Sequence, residues 1–408
     1  MDIILKKVRV EDGGPLMDVG IADGKIQAID QTLSRSAGKV IDADGRVLIP
    51  GLIEGHLHLD KALIADRKPN RSGTLAEAIA VTGELKPTFT AEDVRERAEK
   101  ALRMVIRNGV THMRTHSEFD PSAGFTAFQV VLELKEKYKG IIDIQVTAFP
   151  QEGIMKAPGT EDMMHEAIRL GADVVGGIPY NDLSANDHID LVFGIAKKYD
   201  KPLDFHQDFK DDAAGSSIEY LCKKTISEGY HGKVTVGHLT SLGAFPPEQL
   251  KPIADLMAEA RVNVMSLPAT DLHLGGRGDT YNVRRALTPI RALRGAGVNV
   301  CLASNNIRNA FTPYGNGDLF QIAMLAIPTA HLGGADDLPT VIDMITVNPA
   351  KALGLGAYGL KVGNAADVVL LDTRKKADAI IDLPDKLFVI KNGKVIVQTE
   401  RHSSVNFP

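Results

Sequence analysis

The chain of 408 residues has no tryptophan and only two cysteines, Cys222 and Cys301. Cysteines so far apart form neither a metal-type pair nor a disulfide framework, so both are expected to be reduced and packed, as in a cytoplasmic protein. No apolar run reaches the roughly 18 residues needed to cross a bilayer. The first residues, Met1 to Lys7, lack the basic-then-apolar order of a secretory leader. The reading is a cytoplasmic protein with no membrane contact. Basic charge is not in excess: 47 Lys and Arg stand against 52 Asp and Glu, a net charge of -5. No basic stripe is visible, which argues against a nucleic-acid partner. What remains is an ordinary globular composition, 44% hydrophobic and 24% charged. The length suits one large domain with an appendage, or two domains. Whether the chain forms a homo-oligomer is left open.

Both ends read as short strands. Ile3-Ile4-Leu5, Asp18 to Ile21 and Lys25 to Ile29 are separated by turn residues such as Asp12-Gly13-Gly14 and Asp23-Gly24. The tail repeats this style, with a strand over Ala366 to Asp372 and a hairpin around Asn392-Gly393. Neither end can bury enough surface alone. Residues 1–50 and 355–408 are therefore expected to pair into one small β domain.

Between them, strands alternate with helices. Val47-Leu48-Ile49-Pro50-Gly51-Leu52-Ile53 reads as a buried strand. Similar apolar runs recur at 111–116, 142–149, 172–178, 202–206, 233–238, 262–267 and 298–304, eight in all. In 92–108, Val94, Ala98, Ala101, Leu102, Val105 and Ile106 fall on one helical face. Segments 216–229 and 247–260 look alike. Eight alternations over 51–354 predict an α/β fold, a (β/α)8 TIM barrel. A doubly wound open sheet is the alternative, but no Gly-x-Gly-x-x-Gly turn supports a nucleotide-binding version of it.

The first of these strands leads into Gly55-His56-Leu57-His58-Leu59-Asp60-Lys61. Residues at i and i+2 of a strand share a side, so His56 and His58 project together as two nitrogen ligands for one metal ion. Barrel enzymes place their sites at the C-terminal strand ends. Those ends here carry His56 and His58, then His116, Gln151, His206 with Asp208, His238, and Asn305-Asn306. Packing alone gives a core strand no reason to end in an imidazole or an amide.

These residues resemble the amidohydrolase superfamily, and within it the cytosine deaminase-like group. The likeness runs through Gly51 to Asp60, Thr115-His116, Ala148 to Gly153, Asp173 to Gly176, Asp204-Phe205-His206, Gly237-His238 and His273 to Tyr281. A relative that removes an alkylamine from a triazine ring is similar too, sharing His58-x-Asp60-Lys61 and Gly315-Asn316-Gly317-Asp318. The resemblance implies a divalent ion, zinc or iron, held by His56, His58 and His206, that activates a water toward a ring carbon. It implies His238 beside the reacting oxygen and Gln151 on a heterocyclic substrate. Asn306, at the end of the eighth strand, is a further candidate substrate contact, and His116 either contacts substrate or fills the barrel mouth. His273 to Tyr281 reads as a substrate-covering loop.

Two positions depart from the family pattern. Asn305 stands where the family has a metal-binding Asp, and Phe209 where its deaminases have a Glu that shuttles protons. An amide is no base near neutral pH. Asp208 or Lys61 is expected to carry protons instead; the alternatives are a salt bridge with Lys210 or an N-cap of the following segment for Asp208, and a solvated or Asp60-paired side chain for Lys61. The function that follows is metal-dependent hydrolysis of a C–N bond in a small heterocycle or cyclic amide. The competing reading is a catalytically silent small-molecule binding protein on the same scaffold, motivated by Asn305 and Phe209.

Overall fold

The computed structural model describes residues 1–334 and 336–406. Eight parallel strands run in sequential order: Leu52–Leu57, Val110–Glu118, Asp143–Phe149, Val174–Gly177, Leu203–Gln207, Val234–His238, Asn263–Ser266 and Asn299–Leu302. Helices cross between them, giving the expected (β/α)8 barrel. The helix Ala91–Arg107 shows how the sequence sets its own ends. Thr90 accepts a hydrogen bond from the Asp93 amide at 3.2 Å, Val94, Ala98, Ala101, Leu102 and Val105 are buried, and Gly109 leaves at φ +94°.

Closure of the barrel runs through the residues that carry chemistry. The first and eighth strands share no continuous ladder. Lower down, residues 344–345 are wedged between them, the Ile53 amide donating to the Ile345 carbonyl and the Leu302 amide to that of Met344. At the top, the Asn305 amide donates to the His56 carbonyl at 2.8 Å and the His58 amide to the Asn305 carbonyl at 3.0 Å.

The run Val47 to Ile53 is two strands, not the single one expected. Leu48–Pro50 pairs with Val368–Leu371 outside the barrel, and Leu52 begins the barrel. Gly51 is the hinge, and a β-carbon there would sit 2.3 Å from Thr111 Oγ1. Both strands are fully covered, so their apolar patterns join without a break and periodicity cannot see the change of sheet.

The two ends of the chain form two four-stranded sheets. One holds Lys25–Asp30, Met17–Ala22, Ile3–Val8 and Lys39–Asp42, and the other Lys394–Gln398, Lys386–Lys391, Val368–Leu371 and Leu48–Pro50. Ile3, Leu5, Val19 and Ile21 pack against Leu48, Val368, Leu370 and Ile390 between them. Both expected hairpin turns are present, with positive φ at Asp23, Gly24, Asn392 and Gly393.

One buried cation joins these sheets to the barrel floor. Lys391 Nζ donates to Asp143 Oδ2 at 2.6 Å, Asp367 Oδ2 at 2.7 Å and His112 Nε2 at 3.3 Å. Burial, then Lys391, lowers the His112 pKa to about 4. Lys391→Met is expected to strand the buried Asp367 carboxylate and cost about 3–5 kcal/mol. A fall in the urea midpoint at unchanged slope checks it.

Candidate active site

Three imidazoles meet at the floor of a pocket above the barrel. His206 Nε2 lies 3.2 Å from His56 Nε2 and 3.1 Å from His58 Nε2. One nitrogen between two others cannot satisfy both by hydrogen bonding. Each of the two separations is short enough for both nitrogens to bind one ion at about 2.0–2.1 Å. All three are almost fully buried, and burial followed by the neighbouring cationic and imidazole groups holds each pKa well below 6.5. Their lone pairs are thus free near neutral pH. Phe149 stacks on His206 with ring centroids 4.1 Å apart, fixing its plane.

His58, Lys61, Gln151, His206, His238, Asn305 and Asn306 all line the pocket, as expected from the sequence. Asn305 Oδ1 is buried with no hydrogen-bond partner among the described residues. His238 is held from behind: its Nδ1 lies 2.6 Å from Asp271 Oδ1. With the Nδ1 proton on that carboxylate, Nε2 is free on the other side of the ring. Phe209 stacks on the same imidazole at 4.3 Å and an interplanar angle of 10°. His238 and Asn305 sit at φ +72° and +61°. Such backbone is rare outside glycine, and its clustering at strand ends fits a site that fixes side-chain direction.

Two expected roles are corrected. Asp208 does not reach the pocket. Its carboxylate accepts hydrogen bonds from Ser216 Oγ at 2.6 Å, the Ser217 amide at 3.1 Å and the Ile218 amide at 3.3 Å. It caps the helix Ile218–Ser227, since bare amides at a helix start attract a carboxylate, and so it is no proton shuttle. His116 does not line the pocket either. It is fully buried beneath His56, centroids 4.0 Å apart, with Nε2 3.1 Å from Asp204 Oδ1. A strand longer than expected explains this, for the second strand continues to Glu118. The stretch His273 to Tyr281, expected to cover the substrate, contributes no residue to the pocket lining, and Tyr281 is 85% exposed. Leu75, Tyr180 and Phe311 form the wall instead.

Three functional partners were missed from sequence: Asp271, Glu118 and Lys86. Glu118 pairs with Lys61 and, at 3.2 Å, with Lys86. Strand parity was the available signal, because 112, 114, 116 and 118 share one face. Asp271 lies in the helix Pro268–Leu274 and carries no local signature.

Glu54 lies under this floor. It accepts the Ser304 amide at 3.1 and 3.2 Å and the His56 amide at 3.3 Å, and burial raises its pKa to about 7. A folded-state pKa above the usual 4.5 means the folded chain binds that proton more tightly than the unfolded one. Stability is therefore full below about pH 4.5 and lost as pH rises through about 7. Asp60, raised to about 7 by burial and Glu118, acts in the same direction. The depressed imidazoles act in the opposite direction, so the difference between variants is the check: in protein stripped of divalent ions, the urea midpoint of Glu54→Gln is expected to gain on that of the unmodified chain as pH rises from about 5 to 8.

A barrel with strand-end histidines gathered on one point defines a class of hydrolase, and comparison gives the family. The amidohydrolase family model matches residues 39–397, and the chain belongs to that family. It is 31% identical over 407 residues to N-isopropylammelide isopropyl amidohydrolase of Pseudomonas sp. strain ADP, covering 98% of each chain. It is 29% identical to a pterin deaminase of Rhizobium rhizogenes, over 93% of this chain and 87% of that one. Among solved structures, 5-methylcytosine deaminase from Klebsiella pneumoniae with phosphonocytosine superposes at a TM-score of 0.94. That match has 35% identity over 99% of this chain and 100% of the other. The chain is accordingly a hydrolase of carbon–nitrogen bonds other than peptide bonds, and the silent-scaffold reading is set aside.

Proposed function

We propose that this chain is a metal-dependent amidohydrolase that releases an amine from a ring carbon of a small, single-ring heterocycle. The observation that carries the reading is the convergence of His56, His58 and His206 Nε2 at the pocket floor, within 3.2 Å of one another through His206. The relatives named above support the reaction class. Among those relatives, 5-methylcytosine deaminase takes a single ring by its name, and its 35% identity over 99% of this chain favours one ring over a fused pair.

A divalent ion held by those three imidazoles would supply the Lewis acidity that makes a water nucleophilic near neutral pH. The remaining steps belong to the side chains. His238, oriented by Asp271, takes the proton of the attacking water on Nε2 and returns it to the departing nitrogen, which leaves as the neutral amine. Asn305 Oδ1 offers that water an acceptor but no base. Gln151 Oε1 accepts from Lys61 Nζ at 3.3 Å, which turns its amide N–H groups toward a ring carbonyl or nitrogen. Of the two proton carriers considered from sequence, Lys61 reaches the pocket and Asp208 does not. Phe209 keeps water from one face of His238.

Metal analysis of the purified protein, followed by an amine-release screen over pyrimidines, triazines, hydantoins and lactams, tests this. Bound divalent metal with release of ammonia or an alkylamine is the expected result. Metal-free protein that stays inactive with added zinc, iron, manganese or cobalt overturns it.

A further inference from the structure

The pocket wall contains no Asp or Glu, and Lys61 is its only lysine or arginine. The two strand-end positions beside it, Asn305 and Phe209, are not ionisable. A substrate entering this pocket therefore meets one fixed positive side chain and no carboxylate.

The position of that charge is set by a buried clamp. Lys61 is 2% exposed. One of its N–H groups goes to Glu118, another to Gln151 Oε1 at 3.3 Å, and the ammonium lies 4.3 Å from the centre of the Phe311 ring. No hydrogen-bond acceptor for the third N–H is present among the described residues. Asp60 ties the two backbones together, accepting the Lys61 amide at 2.9 Å on one oxygen and the Glu118 amide at 2.8 Å on the other. Behind Glu118, Lys86 lies 3.2 Å from its second oxygen, and also 3.0 Å from Asp120 and 2.7 Å from Glu152. Glu118 thus divides its charge between two lysines. The carboxylates of the cluster all lie behind Lys61, away from the pocket.

We infer that the pocket selects rings with an anionic edge, either an ionised cyclic imide or a ring carboxylate. Lys61 and the Gln151 amide hold that edge, and Glu118 is the positioning residue that aims the ammonium. This deepens the proposed hydrolysis and rests on it. A buried charge-assisted hydrogen bond contributes about 1.5–3 kcal/mol, so the preference over a neutral ring is expected to be roughly tenfold or more. Carboxylates lining the pocket would have given the opposite preference.

Calorimetric titration of the enzyme as purified tests this with three probes: barbiturate as the ionised imide, orotate as the ring carboxylate and uracil as the neutral ring. At least one ionised probe is expected to bind roughly tenfold or more tightly than uracil, and the better of the two identifies the kind of edge. Lys61→Met is expected to lower the ratio at least severalfold, any remainder being the pull of the divalent ion, and Lys61→Arg to retain it. Glu118→Gln is expected to lower the ratio, weakening the better ionised probe more than uracil, and Glu118→Asp to restore part of it. A purely structural role for Glu118 would weaken all probes alike. Uracil binding as tightly as both ionised probes, or neither ionised probe binding, overturns the inference, as does a ratio unchanged by Lys61→Met. If Lys61→Met fails a thermal melt, an unchanged ratio in Glu118→Gln overturns the positioning role. Binding needs no turnover, so this result stands apart from the hydrolysis screen.

Discussion

His206→Ala is expected to lose bound metal and to lower kcat/KM by at least about 10³-fold, the largest single effect in this protein. The reason is geometric. His206 Nε2 is the only one of the three that lies near both of the others, at 3.2 and 3.1 Å. Removing it leaves two imidazoles on one strand end, which cannot enclose an ion. The fold should survive, because the strand Leu203–Gln207 remains paired on both sides. Metal content by atomic spectroscopy and turnover on the best substrate of the screen are the measurements. A variant that keeps its metal and loses less than about tenfold in rate would place the reactive centre elsewhere.

Asp271→Asn is expected to lower kcat by about 10²–10⁴-fold with little change in KM. The carboxylate lies 2.6 Å from His238 Nδ1, and burial raises its own pKa while His238 opposes that shift. An amide there can present its N–H to Nδ1 and so move the ring proton to Nε2, the atom that must accept a proton from water. The change barely alters shape, since Asp271 is fully buried and asparagine fits the same space. Separate kcat and KM values decide the matter. A rise in KM with kcat intact would make His238 a binding group rather than a proton acceptor.

These two residues also separate what was legible from what was not. His206 could be picked out because it ends an apolar strand and resembles a known family in its setting. Asp271 could not, because its meaning comes from a partner 33 positions earlier in the chain. Glu118 and Lys61, 57 positions apart, are the same case. Asp208 shows the opposite error. Its place two residues after His206 suggested chemistry, yet the Ser217 amide donates to both its oxygens and the Ile218 amide to Oδ2. His116 was placed at the pocket because its strand was taken to end there, whereas two further residues lift Glu118 to the level of Lys61.

By itself, the sequence determined the eight-fold alternation of strand and helix, the pairing of His56 with His58 on one side of a strand, and the hairpins at Asp23-Gly24 and Asn392-Gly393. All of these are local properties, set by side-chain period and by the φ values that Gly and Asn accept. Only the tertiary structure decided which carboxylates serve the pocket, which merely cap a helix, and how Gly51 passes the chain from one sheet to the next. Those outcomes depend on distances between segments remote in sequence, and burial makes each such pairing consequential, because a charge without a partner there is costly.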